Sequence, residues 1–159
     1  MNLIVGIADM KVTNDPEVVL ITYSLGSCIG VTVYDPLARV GGLLHFMLPD
    51  SAIDKEKAKK TPGMFADSGI PLLFREAYRL GAEKGRLQVK LAGGAQILDD
   101  SGFFNIGKRN YMALRKIFWM NNVLITSEEV GGDVNRTLSL ELATGRVYVK
   151  TSGGGIKEI

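Results

Sequence analysis

Two runs of β-branched and aromatic residues flank the tetrapeptide Asp35-Pro36-Leu37-Ala38, and no other feature constrains the fold of this chain as much. Ile29-Gly30-Val31-Thr32-Val33-Tyr34 leads in, and Arg39-Val40-Gly41-Gly42-Leu43-Leu44 leads out. Such residues suit a pleated, half-buried surface. Asp followed by Pro suits the first two positions of a type I turn. A hairpin closing on Asp35–Ala38 opposes Tyr34 to Arg39, Thr32 to Gly41, Gly30 to Leu43 and Cys28 to His45. Directly opposed residues share a sheet face, with Cβ atoms about 4.5–5.5 Å apart. Cys28 and His45 are the sole cysteine and the sole histidine of the chain. This register therefore predicts a thiol beside an imidazole, the makings of a nucleophile–base pair. A bulge at Gly41-Gly42 would slip it by one residue and send the two side chains to opposite faces.

Further strand patterns run over Leu3–Ala8, Val18–Tyr23, Cys28–Tyr34, Arg39–Met47, Leu87–Leu91, Val123–Ser127, Thr137–Leu142 and Arg146–Thr151. Apolar residues at helical spacing predict a helix over Phe65–Leu80, with Gly81 after it and Pro71 expected to kink it or mark a later start. A second helix is expected over Gly107–Met120, with Tyr111, Leu114, Ile117 and Phe118 on one face and Asn121-Asn122 ending it. Pro49–Pro62 is polar and reads as a surface loop. Residues 152–159, with Gly153-Gly154-Gly155, read as a flexible tail. Strands in runs, with two long helices and no internal repeat or linker, predict an α+β fold over residues 1–159 as a single domain.

Composition excludes several function classes. The 159 residues carry a net charge of only +2, too little to argue for nucleic acid or an anionic membrane as partner. One cysteine cannot form an internal disulfide, and nothing points to an oxidising compartment. The start of the chain lacks a basic n-region, and no apolar stretch approaches the roughly 18–20 residues needed to span a bilayer. The expected location is the cytoplasm. Zinc generally wants at least three protein ligands, so one Cys and one His predict no metal site. No GxGxxG or P-loop pattern occurs, and no cofactor is expected.

The candidate chemistry centres on Thr22-Tyr23-Ser24-Leu25-Gly26-Ser27-Cys28. Gly26 and Ser27 interrupt the strand pattern just before the thiol. A turn there exposes Cys28 at a strand start, with backbone N–H groups free to form an oxyanion hole. His45 is the candidate base. A neutral imidazole needs a third group to fix its tautomer. Thr22, ending the preceding strand, is one candidate, and Asp50, following the His45 strand, is the carboxylate rival. The competing reading is structural: a lone cysteine is ordinarily a small buried hydrophobe, and a lone histidine on an apolar strand is ordinarily a satisfied core residue.

Thr22 through Leu25-Gly26-Ser27-Cys28, followed by His45-Phe46-Met47-Leu48-Pro49, resembles the CheD chemoreceptor glutamine deamidases. The likeness continues through Ala92-Gly93-Gly94-Ala95, Asn105-Ile106-Gly107-Lys108-Arg109-Asn110, Gly131-Gly132 with Arg136, and Thr144-Gly145-Arg146-Val147-Tyr148-Val149-Lys150. The chain differs from the usual pattern at Ser24 and at Gln96-Ile97. The resemblance implies a three-layer α/β sandwich with a Cys-His-Thr site, mapping onto Cys28, His45 and Thr22. It also implies hydrolysis of glutamine side-chain amides on the cytoplasmic helices of methyl-accepting chemoreceptors, and binding to the chemotaxis phosphatase CheC. A non-catalytic regulator binding the same partners is the alternative from another functional class.

Overall fold

A computed structural model describes residues 1–96 and 105–159. Ile97, one of the residues at which the sequence departs from the family pattern, lies outside them. The strands are β1 (Asn2–Ile4), β2 (Met10–Thr13), β3 (Val19–Leu25), β4 (Ile29–Asp35), β5 (Val40–Phe46), β6 (Gln88–Gly93), β7 (Ser127–Val130), β8 (Arg136–Glu141), β9 (Val147–Thr151) and β10 (Ile156–Glu158). The α-helices are α1 (Lys55–Lys60), α2 (Ala66–Arg79) and α3 (Ile106–Met120). Two five-stranded sheets form, in the orders β1-β3-β8-β9-β10 and β2-β5-β4-β6-β7. Pairing is antiparallel except between β1 and β3 and between β6 and β7.

The alternation of side chains along β4 and β5 explains the layering. Val31, Val33, Leu44 and Phe46 point to one side, where they pack with Ile70, Leu73 and Ala77 of α2 and Leu114 and Phe118 of α3. Tyr34 and Leu43 point to the other side, against Leu20 and Leu25 of β3 and Leu138 and Leu140 of β8. Helices, inner sheet and outer sheet thus stack as three layers, and β4 and β5 are buried along their whole length. This is the α+β sandwich expected from the sequence.

The β4–β5 register differs from the expected one. Asp35 pairs with Val40, Tyr34 with Gly41, and Gly30 with His45. The hairpin loop is residues 36–39, longer than the expected Pro36-Leu37 connection. Two-residue hairpin loops need positive φ at their first position, which the proline ring forbids. The chain instead winds on through Arg39, which adopts a φ of 55° and donates its N–H to the Asp35 carbonyl. Asp35 Oδ1 accepts from the N–H groups of Leu37 and Ala38. Gly41 and Gly42 pair regularly, so no bulge forms there. Cys28 does not face His45 directly. It lies two residues before Gly30, which does. A shift of two preserves the face.

Other boundaries also moved. The first strand expected over Leu3–Ala8 ends at Ile4, and Ala8 turns the chain with a φ of 63° into β2. The strand expected at Val123–Ser127 starts at Ser127. The polar Pro49–Pro62 stretch folds into a 3-10 turn and α1, each capped by an aspartate, Asp50 and Asp54. Helix α2 runs from Ala66 unbroken through Pro71. The expected flexible tail carries β10, which pairs with β9, and Lys157 bonds Glu129.

Candidate active site

The seam between the sheets holds the candidate residues. Thr22 lies on the inner face of β3, and His45 on the opposing face of β5; both are fully buried. The Thr22 hydroxyl lies 2.7 Å from His45 Nδ1 and donates to the Val5 carbonyl, also at 2.7 Å. A hydroxyl has one proton, and a carbonyl can only accept. Both bonds therefore exist together only when His45 carries its proton on Nδ1 and donates it to Thr22. Nε2 is left with a lone pair, and it has no hydrogen-bond partner among the described residues. Burial pushes the His45 pKa down to about 4, so the ring is neutral at physiological pH.

Cys28 is partly exposed and packs against the core between the sheets, which is the His45 side of β4. Residues diagonal to one another across an antiparallel pair have Cα atoms about 7–8 Å apart, within reach of long or aromatic side chains. Gly30, which faces His45, presents no side chain there. Burial pushes the Cys28 thiol up, partly offset by the residue's own backbone N–H. Both shifts favour the uncharged forms, a thiol at Cys28 and an imidazole at His45.

The loop before Cys28 is held from two directions. Ser24 takes a φ of 60°, and the Gly26 N–H donates to its carbonyl. From the turn just after β6, Gly94 N–H donates to the Cys28 carbonyl at 2.9 Å and Ala95 N–H to the Gly26 carbonyl at 2.8 Å. This close approach needs Gly93, whose φ is 118° and where a Cβ would run into the Cys28 carbonyl oxygen. From α3, Asn110 Nδ2 donates to the Ser27 carbonyl at 2.9 Å and to the Met47 carbonyl at 2.8 Å. Apart from the Cys28 sulfur itself, no acceptor among the described residues takes the N–H of Ser27 or Cys28. Both remain available as donors to a ligand.

Asp50, the rival to Thr22, accepts from the Ala52 N–H instead of reaching His45. Asn110 and Gly93 were not singled out as site residues by sequence reasoning. Asn110 carried a readable signal, because a polar residue stands at the helical spacing of Gly107, Leu114 and Phe118, all buried. Among the described residues no group of His, Cys, Asp and Glu could hold a metal ion, and no helix is long and apolar enough to cross a membrane.

Residues 47–151 match the family model described as CheD chemotactic sensory transduction. The chain belongs to the CheD family. It is 58% identical over 158 residues, covering 99% of both chains, to a probable chemoreceptor glutamine deamidase CheD 1 of Syntrophus aciditrophicus. It is 50% identical to a probable chemoreceptor glutamine deamidase CheD of Solibacter usitatus, covering 95% of this chain and 89% of that one. A CheD 2 of the same description from Anaeromyxobacter dehalogenans is 49% identical, with 92% of each chain covered. The CheD family model begins after His45, whereas the alignments to these relatives extend over nearly the whole chain.

Proposed function

We propose that this CheD protein is a protein-glutamine deamidase that hydrolyses glutamine side-chain amides on the cytoplasmic helices of chemoreceptors. The observation that carries the reading is the Thr22–His45 bond, which leaves Nε2 unprotonated on the face that Cys28 shares. His45 Nε2 takes the Cys28 proton as sulfur attacks the glutamine side-chain carbonyl carbon. The N–H groups around Ser27 and Cys28 receive the oxyanion. The imidazolium returns its proton to the amide nitrogen, ammonia leaves, and a thioester remains. His45 then takes a proton from water, hydroxide adds to the thioester carbon, and collapse releases glutamate and the thiol. Thr22 holds the ring in the productive tautomer throughout.

The names of the relatives support the same substrate class. Binding to a CheC-like phosphatase is carried over from the family resemblance as part of the proposal. The alternative of a non-catalytic regulator predicts a dispensable Cys28. Incubating purified receptor cytoplasmic fragment with wild type and with Cys28→Ala, and following amide-to-acid conversion by mass spectrometry, separates the two. Conversion by wild type alone is expected; equal conversion by both removes Cys28 from the mechanism.

A further inference from the structure

Asn110 is a buried amide that joins three segments. It sits on α3, yet both of its donated bonds leave the helix, one to the loop that carries Cys28 and one to the residue two after His45. Its orientation is fixed by chemistry. Ser27 O and Met47 O can only accept, so Nδ2 must face both, and a flipped amide would set oxygen against oxygen. Oδ1 then points elsewhere, is buried, and has no partner among the described residues. A side chain serving only to pack α3 would do better as a hydrocarbon, because a buried unpaired acceptor is a cost.

The Ser27 carbonyl belongs to the same planar unit as the Cys28 N–H, and in a trans peptide the two point in opposite directions. Holding the carbonyl therefore aims the N–H. We propose that Asn110 is a positioning residue that fixes the Ser27–Cys28 peptide so that its N–H serves as the oxyanion donor, while anchoring the end of the His45 strand at Met47. This inference rests on the deamidase reading above.

The test compares Asn110→Ala, Asn110→Asp and Leu114→Ala, a core truncation on the same helix, with wild type. Deamidation of a receptor cytoplasmic fragment is measured beside alkylation of Cys28 by iodoacetamide and thermal melting. Alkylation is a direct displacement at sulfur and creates no oxyanion. Asn110→Ala is expected to lose about 10²-fold in kcat, the usual effect of an oxyanion donor, with KM little changed. Its alkylation rate should stay within about threefold of wild type, because the thiol itself is intact. Leu114→Ala should lower the melting temperature and keep kcat. In Asn110→Asp the protonated carboxyl donates one bond and the ionised one donates none. Its activity should therefore fall with rising pH where that of wild type does not, and this variant carries the test if Asn110→Ala does not fold. An equal kcat loss in Leu114→Ala, or a loss in Asn110→Ala that lies in KM or tracks alkylation, would overturn the assignment. A wild type that deamidates nothing while Cys28 still alkylates would instead sink the deamidase reading.

Discussion

Thr22 and His45 are hydrogen-bonded across two different sheets, and the direction of that bond is dictated by a third group, the Val5 carbonyl. In the proposed mechanism the hydroxyl takes the role that a carboxylate plays in many triads, but without adding charge. A carboxylate there would stabilise an imidazolium. A hydroxyl leaves burial as the main influence on His45, so the ring stays a neutral acceptor.

The first prediction tests that bond. Thr22→Val keeps the shape but leaves the Nδ1–H and the Val5 carbonyl unpaired. Stability should fall by about 1–3 kcal/mol, and deamidation kcat by roughly 10- to 100-fold. Thr22→Ser restores the hydroxyl and should recover most of the activity. Calorimetry and receptor deamidation kinetics on the two variants check this, and equal activity in both would reduce Thr22 to a packing residue.

The second concerns pH. His45 has a folded pKa of about 4 against an ordinary value of 6.5. Between these values the unfolded chain takes up a proton that the folded chain refuses, so stability present above pH 6.5 is lost as pH falls toward 4. The slope is about 1.4 kcal/mol per pH unit at most. Denaturation midpoints measured across this window should show it in wild type and not in His45→Gln. By the same reasoning kcat/KM should lack an acid limb near 6.5, in contrast to an unburied histidine base.

A third prediction addresses the β6 clamp. Gly93→Ala forces a Cβ into the Cys28 carbonyl at a φ that side chains avoid. The loop must move, breaking the bond from Gly94 N–H and exposing the thiol. Melting temperature should drop, and iodoacetamide should alkylate Cys28 faster than in wild type. Unchanged alkylation would mean the clamp does not set thiol access.

The fourth concerns the hairpin itself. Asp35 is fully buried and bonded to Arg86, and it also accepts from the Leu37, Ala38 and Glu83 N–H groups. Burial alone would raise its pKa, but Arg86 and these N–H groups hold it well below the usual carboxylate range. Arg86→Met leaves the carboxylate without its cation. The cost should be roughly 2–4 kcal/mol, somewhat below that of breaking a fully buried pair because Arg86 is partly exposed. Urea unfolding at pH 7 measures it, and the loss should shrink as pH falls through the carboxylate range.

Much of this architecture was legible because β-branched runs and helical spacing agree with burial. The strands β3, β4, β5, β8 and β9, and both long helices, follow from residues that pack on one side or the other of a sheet. Short elements escaped. Strand β2 contains Lys11 and lies beyond a turn at Ala8, and β10 follows three glycines, so neither shows a clean alternation. The hairpin pattern puts Cys28 and His45 on one face but opposes them directly, whereas Pro36 cannot take the positive φ that a two-residue loop demands and the register moves by two. Thr22 is the expected partner of His45, but it stands in the middle of β3 and not at the strand end where the sequence pattern put it. The contributions of Asn110 and Gly93 were not read, because both act through main-chain carbonyls supplied by distant segments. Sequence spacing carries no direct record of such contacts.

The seam location of the site has a consequence for folding. Thr22 belongs to one sheet and His45 to the other, so neither sheet alone contains a tautomer-fixed imidazole. Each sheet also joins distant parts of the chain, with β3 pairing to β8 and β4 to β6. Such non-local contacts form slowly. On the proposed mechanism, catalytic competence during refolding is therefore a clock for the docking of one sheet on the other, and it should return later than the circular dichroism of the strands and helices.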